Sequence, residues 1–470
     1  MAEEKEDALN SGSSTKNKRT AVKRLCATGL FALLAFAAYR FAPESMPELA
    51  RRTLGLFVFS SLLWATETLP LYATSLILIG FEILFLAEKG GAAGQGGLSY
   101  QEFLRPFASS VIVLFLGGFL LSRALIKHGL AIFLAGHLLS PFTRSPRTFL
   151  FALLGITAFL SMWMSNTACA TMIFAILTPY LAKSKGSRFQ KAAVLAVPFG
   201  AAIGGIATPI GSPPNAICLA ILRQAGYNIS FDAWMLSAVP LALLLLVISG
   251  FLLYALFKPE NHESLHFPVF KPKQLHFKAF LTAVVFGITV LMWVTTPWHG
   301  LDESVPAIGA AALLTALGIL DKKDLNSIDW DILILMWGGL SLSHAMTASG
   351  LSGWVGGLPF EQLSGGLRIA VFVVLSVFLS TFMSNTATAG MIIPLAMAAS
   401  PENPVIAAFL AALATSMDLA LPISTPPNTL AFATGKLKTP EMIRAGGTFS
   451  LIAALILLAG YRIILPLTLR

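Results

Sequence analysis

Two tripeptides and two Pro-Pro-Asn runs carry the polar chemistry of this chain. Ser165-Asn166-Thr167 and Ser384-Asn385-Thr386 each lie near the middle of an apolar run. Polar groups at such positions are unfavourable in lipid unless they find partners. Their hydroxyls and amides donate hydrogen bonds suited to carboxylate oxygens, and the amide carbonyl stays free for a cation. A single copy is equally well read as a tight hairpin turn, because serine, asparagine and threonine bond local backbone. Two identical copies at corresponding places favour a site. Pro213-Pro214-Asn215 and Pro426-Pro427-Asn428 follow Gly211-Ser212 and Ser424-Thr425. Adjacent prolines remove N–H donors and clash with the preceding turn, so each run unwinds a helix. Unwound backbone at membrane depth survives only where protein or a water-filled cavity surrounds it. Its carbonyls are hard donors for Na⁺, and the half-helix N-termini carry partial positive charge for an anion.

No lysine, arginine or histidine lies in either motif. A dianion there is held by dipoles, neutral donors and co-bound cations, and sodium supplies both neutralisation and drive. One charge crossing 100 mV is worth about 2.3 kcal/mol, so inward movement of a dianion calls for three or more Na⁺. The acids Glu67, Glu82, Asp331 and Asp418 are the candidates for proton coupling instead. Glu67, within Trp64-Ala65-Thr66-Glu67-Thr68-Leu69-Pro70, reads first as an interfacial cap. Asp418, two turns before Pro426, either tunes a second cation site or is a satisfied structural acid.

These motifs belong to a duplication. LFLGGFLLSRALIKHGL at 114–130 pairs with LMWGGLSLSHAMTASGL at 335–351, SMWMSNTACATMI at 161–173 with STFMSNTATAGMI at 380–392, and GSPPNAI at 211–217 with STPPNTL at 424–430. Three blocks recur in one order at nearly constant spacing. The helices that must position them dominate the chain: 56% of the residues are hydrophobic and 12% charged, and mean hydropathy is +0.76. A soluble domain carries about 25% charged residues, so lipid faces much of this protein. The apolar runs are continuous rather than alternating, which selects helices over a closed barrel.

The expected fold is an all-α polytopic membrane protein with about eleven transmembrane helices and two re-entrant hairpins. The spans fall near 25–43, 53–68, 70–88, 107–127, 191–223, 233–257, 277–296, 304–320, 329–347, 404–435 and 446–467. The hairpins occupy about 148–182 and 367–400, and a short segment lies flat near 130–141. With the N-terminus in the cytoplasm and the C-terminus outside, 22 of the 32 Lys and Arg residues fall in inside segments, as the positive-inside rule requires. The net charge of +9 is therefore a loop signal, with no nucleic acid implied. The two halves then run in opposite directions, and inverted repeats with matched broken helices point to a secondary transporter's midplane site. Cys26, Cys169 and Cys218 show neither paired nor metal-like spacing. No metal cluster, phosphate loop or nucleophile elbow suggests an enzyme.

Paired Ser-Asn-Thr motifs, paired Pro-Pro-Asn breaks and the Trp64–Pro70 segment together resemble the divalent anion/sodium symporter family, which includes sodium–dicarboxylate and sodium–citrate cotransporters. The likeness covers roughly residues 50 to 467. It implies a homodimer with scaffold and transport domains moving as an elevator, Na⁺ as coupling ion and no organic cofactor, in a plasma or bacterial inner membrane. The first sodium site would use Ser161, Ser165, Asn166 and Gly211, and the second Ser380, Met383, Asn385, Ser424 and Pro426, some through carbonyls. Substrate carboxylates would meet Asn166, Thr167, Ser212, Asn385, Thr386 and Thr425. Met383 and Ser424 stand where smaller residues are common, and Ser380 where threonine is frequent. If those positions offer only carbonyls, coupling is unaffected; if side-chain volume matters, the second site changes. The implied organisation is a disordered cytoplasmic tail (1–24), N-terminal scaffold helices (25–106), a first repeat (107–257, break at 208–215), a cytoplasmic loop with linking scaffold helices (258–328) and a second repeat (329–470, break at 422–428). The expected activity is sodium-coupled uptake of succinate, malate, fumarate or related di- and tricarboxylates. The alternatives are a sodium-independent 2-oxoglutarate/malate exchanger and a carrier of sulfate or another oxyanion. An anion channel is disfavoured by the paired broken helices.

Overall fold

The computed structural model describes residues 22–88, 98–143, 145–183, 188–259, 275–358 and 363–463. Most of the expected tail and the GGAAGQGG segment lie outside this set. Among the described residues the regular elements are all helices, with one bridge between Ala87 and Leu98.

The first half opens with α1 (Val22–Arg40), α2 (Glu48–Thr66) and α3 (Leu71–Leu86). The helix α2 begins five residues before the expected start at 53. Arg51 and Arg52 suggest a membrane boundary in sequence, but both pair with Glu48 one turn earlier, and Pro47 sets the N-cap. Next come α4 (Ser110–Lys127) and α5 (Leu130–Leu139), then the first hairpin arms α6 (Pro146–Ser161) and α7 (Asn166–Lys183). The first broken helix is α8 (Arg188–Gly205) and α9 (Pro213–Gln224), followed by α10 (Phe231–Leu256).

After α11 (Phe277–Val294) and α12 (Ser304–Ala316), the second half repeats the order. It runs through α13 (Trp330–Ala348), α14 (Leu351–Gly356), the hairpin arms α15 (Gly365–Ser380) and α16 (Asn385–Ala399), the broken pair α17 (Pro404–Thr415) and α18 (Pro426–Ala433), and α19 (Thr448–Ile463). The helix α14 matches the flat segment α5 and was not expected. The turn before each carries a glycine in the left-handed region, Gly129 (φ 73°) and Gly350 (φ 83°), a conformation that costs other residues a Cβ clash. These two glycines close the HGL and SGL ends of the first repeated block.

Each first hairpin arm has 16 residues, about 24 Å of helix at 1.5 Å per residue, short of a bilayer core of about 30 Å. Neither arm alone is long enough to cross that core. Close helix crossings hold the first hairpin. A Cβ on Gly204 of α8 would lie 2.1 Å from the Ala158 carbonyl oxygen of α6, and one on Gly200 2.8 Å from that of Leu154. This is the small-residue approach that drives helix association in lipid. On α11, Phe277, Phe280, Val284, Ile288 and Leu291 are exposed at spacings of three and four, the apolar stripe of a lipid-facing helix.

The double glycines of block one have divided duties. A Cβ on Gly117 would meet the Ala307 carbonyl oxygen of α12 at 2.5 Å, and one on Gly338 the Ser75 Cβ of α3 at 2.5 Å. Their neighbours look the other way: Gly118 faces Ile210 of the first break, and Gly339 faces the Cα of Gly390 on α16.

Candidate substrate and cation site

Unwound backbone inside a membrane protein must find new hydrogen bonds, and both breaks do so with the same residue. The Asn215 side-chain amide donates to the Thr208 carbonyl at 2.7 Å and the Gly205 carbonyl at 2.9 Å. Asn428 donates to the Leu421 carbonyl and the Ser424 hydroxyl, both at 2.9 Å. Each therefore clamps the residue seven positions before it. Ser450 of α19 adds to the second break, donating to the Met417 carbonyl at 2.5 Å and accepting from the Leu419 N–H at 3.4 Å. A Cβ on Gly446 would fall 1.9 Å from the Leu419 carbonyl oxygen, and the chain there takes a π turn over Ile443–Gly447. The helix is continuous through that turn from Thr439, seven residues before the expected start at 446.

The hairpin tips repeat one another too. Ser161 donates to the Asn166 Oδ1 at 2.6 Å, and Ser380 to the Asn385 Oδ1 at 3.0 Å. The first serine of each motif also acts as the expected turn-former: Ser165 accepts from the Ala168 N–H and Ser384 from the Ala387 N–H.

Tips and breaks converge on one cavity of about 730 Å³. Its wall includes Ser165, Asn166, Thr167, Gly211 and Ser212 from the first half and Met383, Asn385, Thr386, Ser424, Thr425 and Pro426 from the second. Ser161 and Ser380 lie buried behind it. All the expected substrate residues thus share a cavity, and Asn166 and Asn385 both line it. Four helices, α7, α9, α16 and α18, begin at this wall, each preceded by a hydroxyl residue: Ser165, Ser212, Ser384 and Thr425. No lysine, arginine or histidine is among the lining residues. Helix N-termini with free N–H groups attract anions without a formal charge.

The donor set beside the first tip suits a small hard cation. A Cβ on Gly205 would lie 2.6 Å from the Asn166 Oδ1 and 3.2 Å from the Gly211 carbonyl oxygen. One on Gly211 would lie 2.6 Å from the Gly205 carbonyl oxygen and 3.1 Å from that of Ser161. Four oxygens therefore lie close around these two glycines, where any side chain would clash. Broken-helix carbonyls of this kind coordinate Na⁺ in transporters.

The family model for citrate transporters matches residues 61–416. The chain belongs to the citrate transporter family. An uncharacterised transporter of Haemophilus influenzae is 31% identical over 435 residues, spanning 87% of this chain and 90% of its own. The sodium-dependent dicarboxylate transporter SdcS of Staphylococcus saprophyticus is 27% identical over 467 residues, spanning 91% and 88%. Among solved structures, the YdaH transporter of Alcanivorax borkumensis superposes with a TM-score of 0.57 at 14% identity, covering 88% of this chain and 97% of that one. This family member is thus a polytopic helical membrane transporter.

The sequence did not point to several residues that complete the site. Thr208 donates to the Met162 carbonyl at 2.6 Å and accepts from the Gly211 N–H at 3.1 Å, tying the first break to the first hairpin. Gly205 supplies a carbonyl and an absent side chain. Ser416 meets Ser212. Phe115, Phe119 and Phe382 form apolar wall. Glu67 is the C-cap of α2, as expected, in the left-handed region at φ 46°, and lines the cavity together with Asp331. Glu82 instead sits buried between helices, accepting a hydrogen bond from Ser341.

Proposed function

We propose that this protein couples the inward movement of C4-dicarboxylates such as succinate, malate and fumarate to sodium. The observation that carries this reading is the cavity where four helix N-termini, each preceded by a hydroxyl residue, meet without any basic side chain, next to a cluster of carbonyl oxygens. Asn166, Thr167, Ser212, Asn385, Thr386 and Thr425 hold the two carboxylates. Ser161, Ser165, Asn166 and Gly211 hold one sodium ion, and Ser380, Met383, Asn385, Ser424 and Pro426 a second. The cations lower the cost of placing a dianion in a site of neutral donors. The name of the SdcS relative supports both the substrate class and the ion.

The repeats are inverted in this proposal, with the N-terminus in the cytoplasm and the C-terminus outside. The cavity then opens inward, on the side where Glu67 and Asp331 lie. The hairpins and broken helices travel as a transport domain against a dimeric scaffold, in the manner of an elevator. The test is uptake of labelled succinate, citrate and sulfate into proteoliposomes, each with Na⁺ and with choline. Saturable, sodium-dependent succinate uptake supports the proposal, as does its loss in Asn166→Ala and Asn385→Ala with folding retained. Uptake that ignores sodium and needs internal substrate replaces it with an exchanger, preferential sulfate uptake with an oxyanion carrier, and a flux that never saturates with a channel.

A further inference from the structure

The two halves differ at one position in a way that bears on the second cation. Counting back ten residues from each Pro-Pro-Asn asparagine gives Gly205 in the first half and Asp418 in the second. In the first half this position borders the cradle, with the missing Cβ of Gly205 directed at Asn166. In the second half the same position carries a carboxylate. Asp418 is fully buried, and its Oδ1 accepts from the Asn385 side-chain amide at 3.2 Å. Its Oδ2 is buried and has no hydrogen-bond partner among the described residues. Its backbone carbonyl takes the Ser424 hydroxyl at 2.5 Å.

A carboxylate so placed is unfavourable by several kcal/mol unless a cation or further donors answer it. Two basic groups on neighbouring helices are engaged elsewhere. Arg368 at the start of α15 bonds the Ala399 carbonyl and Glu402, and Lys191 on α8 bonds Glu441 before α19. Asp418 itself forms no ion pair among the described residues. What surrounds it is oxygen-rich: the Ser380 hydroxyl, the Asn385 side chain and the Ser424 hydroxyl, three of the residues assigned above to the second sodium.

We infer that Asp418 is a direct carboxylate ligand of the second cation, which makes the second site anionic where the first is neutral. This rests on the sodium-coupled reading and adds to it the residue that sets the strength and selectivity of one site. A full negative charge beside hard oxygens binds a small monovalent cation more tightly than carbonyl dipoles alone. The second site therefore fills at lower sodium concentration than the first, and without substrate.

The test is binding of ²²Na⁺ to the purified full chain in detergent, with melting temperature followed in sodium and in potassium. Wild type is expected to bind in a tight and a weaker phase. Asp418→Asn should weaken the tight phase at least tenfold and leave the weaker one. Asn166→Ala should do the reverse. Asp418→Gly rebuilds the glycine of the first half and keeps the assignment testable if the asparagine variant does not fold. It should bring the tight phase down to the affinity of the weaker one. Unchanged isotherms in both Asp418 variants, against a wild type that binds sodium, would overturn the inference while leaving sodium coupling intact. A wild type that binds no sodium at all would overturn both.

Discussion

The Ser212 and Ser416 hydroxyl oxygens lie 3.4 Å apart, one at the end of the first helix break and the other at the start of the second. This contact ties the two repeats together beside the cavity, and both serines are buried. The two helix breaks are thereby held in one frame, so small backbone changes in either should be felt in the other.

The glycine cradle gives the sharpest case. Gly205→Ala would put a methyl group 2.6 Å from the Asn166 Oδ1, closer than any real Cβ contact, without adding an oxygen. We expect the sodium concentration for half-maximal uptake to rise tenfold or more, with Gly211→Ala behaving likewise. Gly447→Ala, whose Cβ meets nothing within 4 Å, should leave it unchanged. Sodium titrations of succinate uptake check this, and equal half-saturation in all three variants would show that the cradle holds no cation.

The crossing of α6 and α8 should govern stability rather than affinity. Gly204→Val forces atoms into the Ala158 backbone, where a Cβ would already sit at 2.1 Å. Overpacking of this kind costs about 1–3 kcal/mol or more, so the detergent melting temperature should fall by several degrees or the protein should fail to accumulate. Gly155→Ala, in the same hairpin with open space around it, should be neutral or slightly stabilising, because alanine favours helix over glycine by about 1 kcal/mol.

An ion cluster on the expected cytoplasmic side gives a pH dependence. Burial raises the Asp324 pKa, but Lys127, the Asp321 backbone N–H and Arg123 outweigh it and hold the carboxyl at about 2. The folded value lies below the ordinary one, so the stabilisation is present above the unfolded pKa of about 3.9 and is lost as pH falls toward 2. Asp324→Asn should melt lower than wild type at pH 7, and the difference should shrink below about pH 4 and close only near pH 2. A constant difference across that range would assign the effect to packing instead.

Much of this site was legible in the sequence, because its signals are local. Proline pairs mark where a helix must unwind, and duplicated tripeptides mark turns. What escaped depends on distant parts of the chain meeting. Gly205 contributes a carbonyl and an absence, neither of which has a side-chain signature. Thr208 matters only because the Met162 carbonyl is folded against it, and Ser450 only because α19 passes the second break. The start of α2 was misplaced because Arg51 and Arg52 look like a membrane edge until Glu48 is seen pairing with both.

A Cβ on Gly339 would lie 3.6 Å from the Gly390 Cα and one on Gly390 3.7 Å from the Gly339 Cα, and Gly118 offers only its backbone to Ile210. Helices usually index their positions by seating ridges in grooves, and a bald strip offers no such notches. If one body slides along these strips, its resting height is set by how its apolar belt matches the hydrocarbon around it. Bilayer thickness then becomes a control on turnover, with fractions of a kcal/mol per ångström of mismatch enough to favour one end of the stroke.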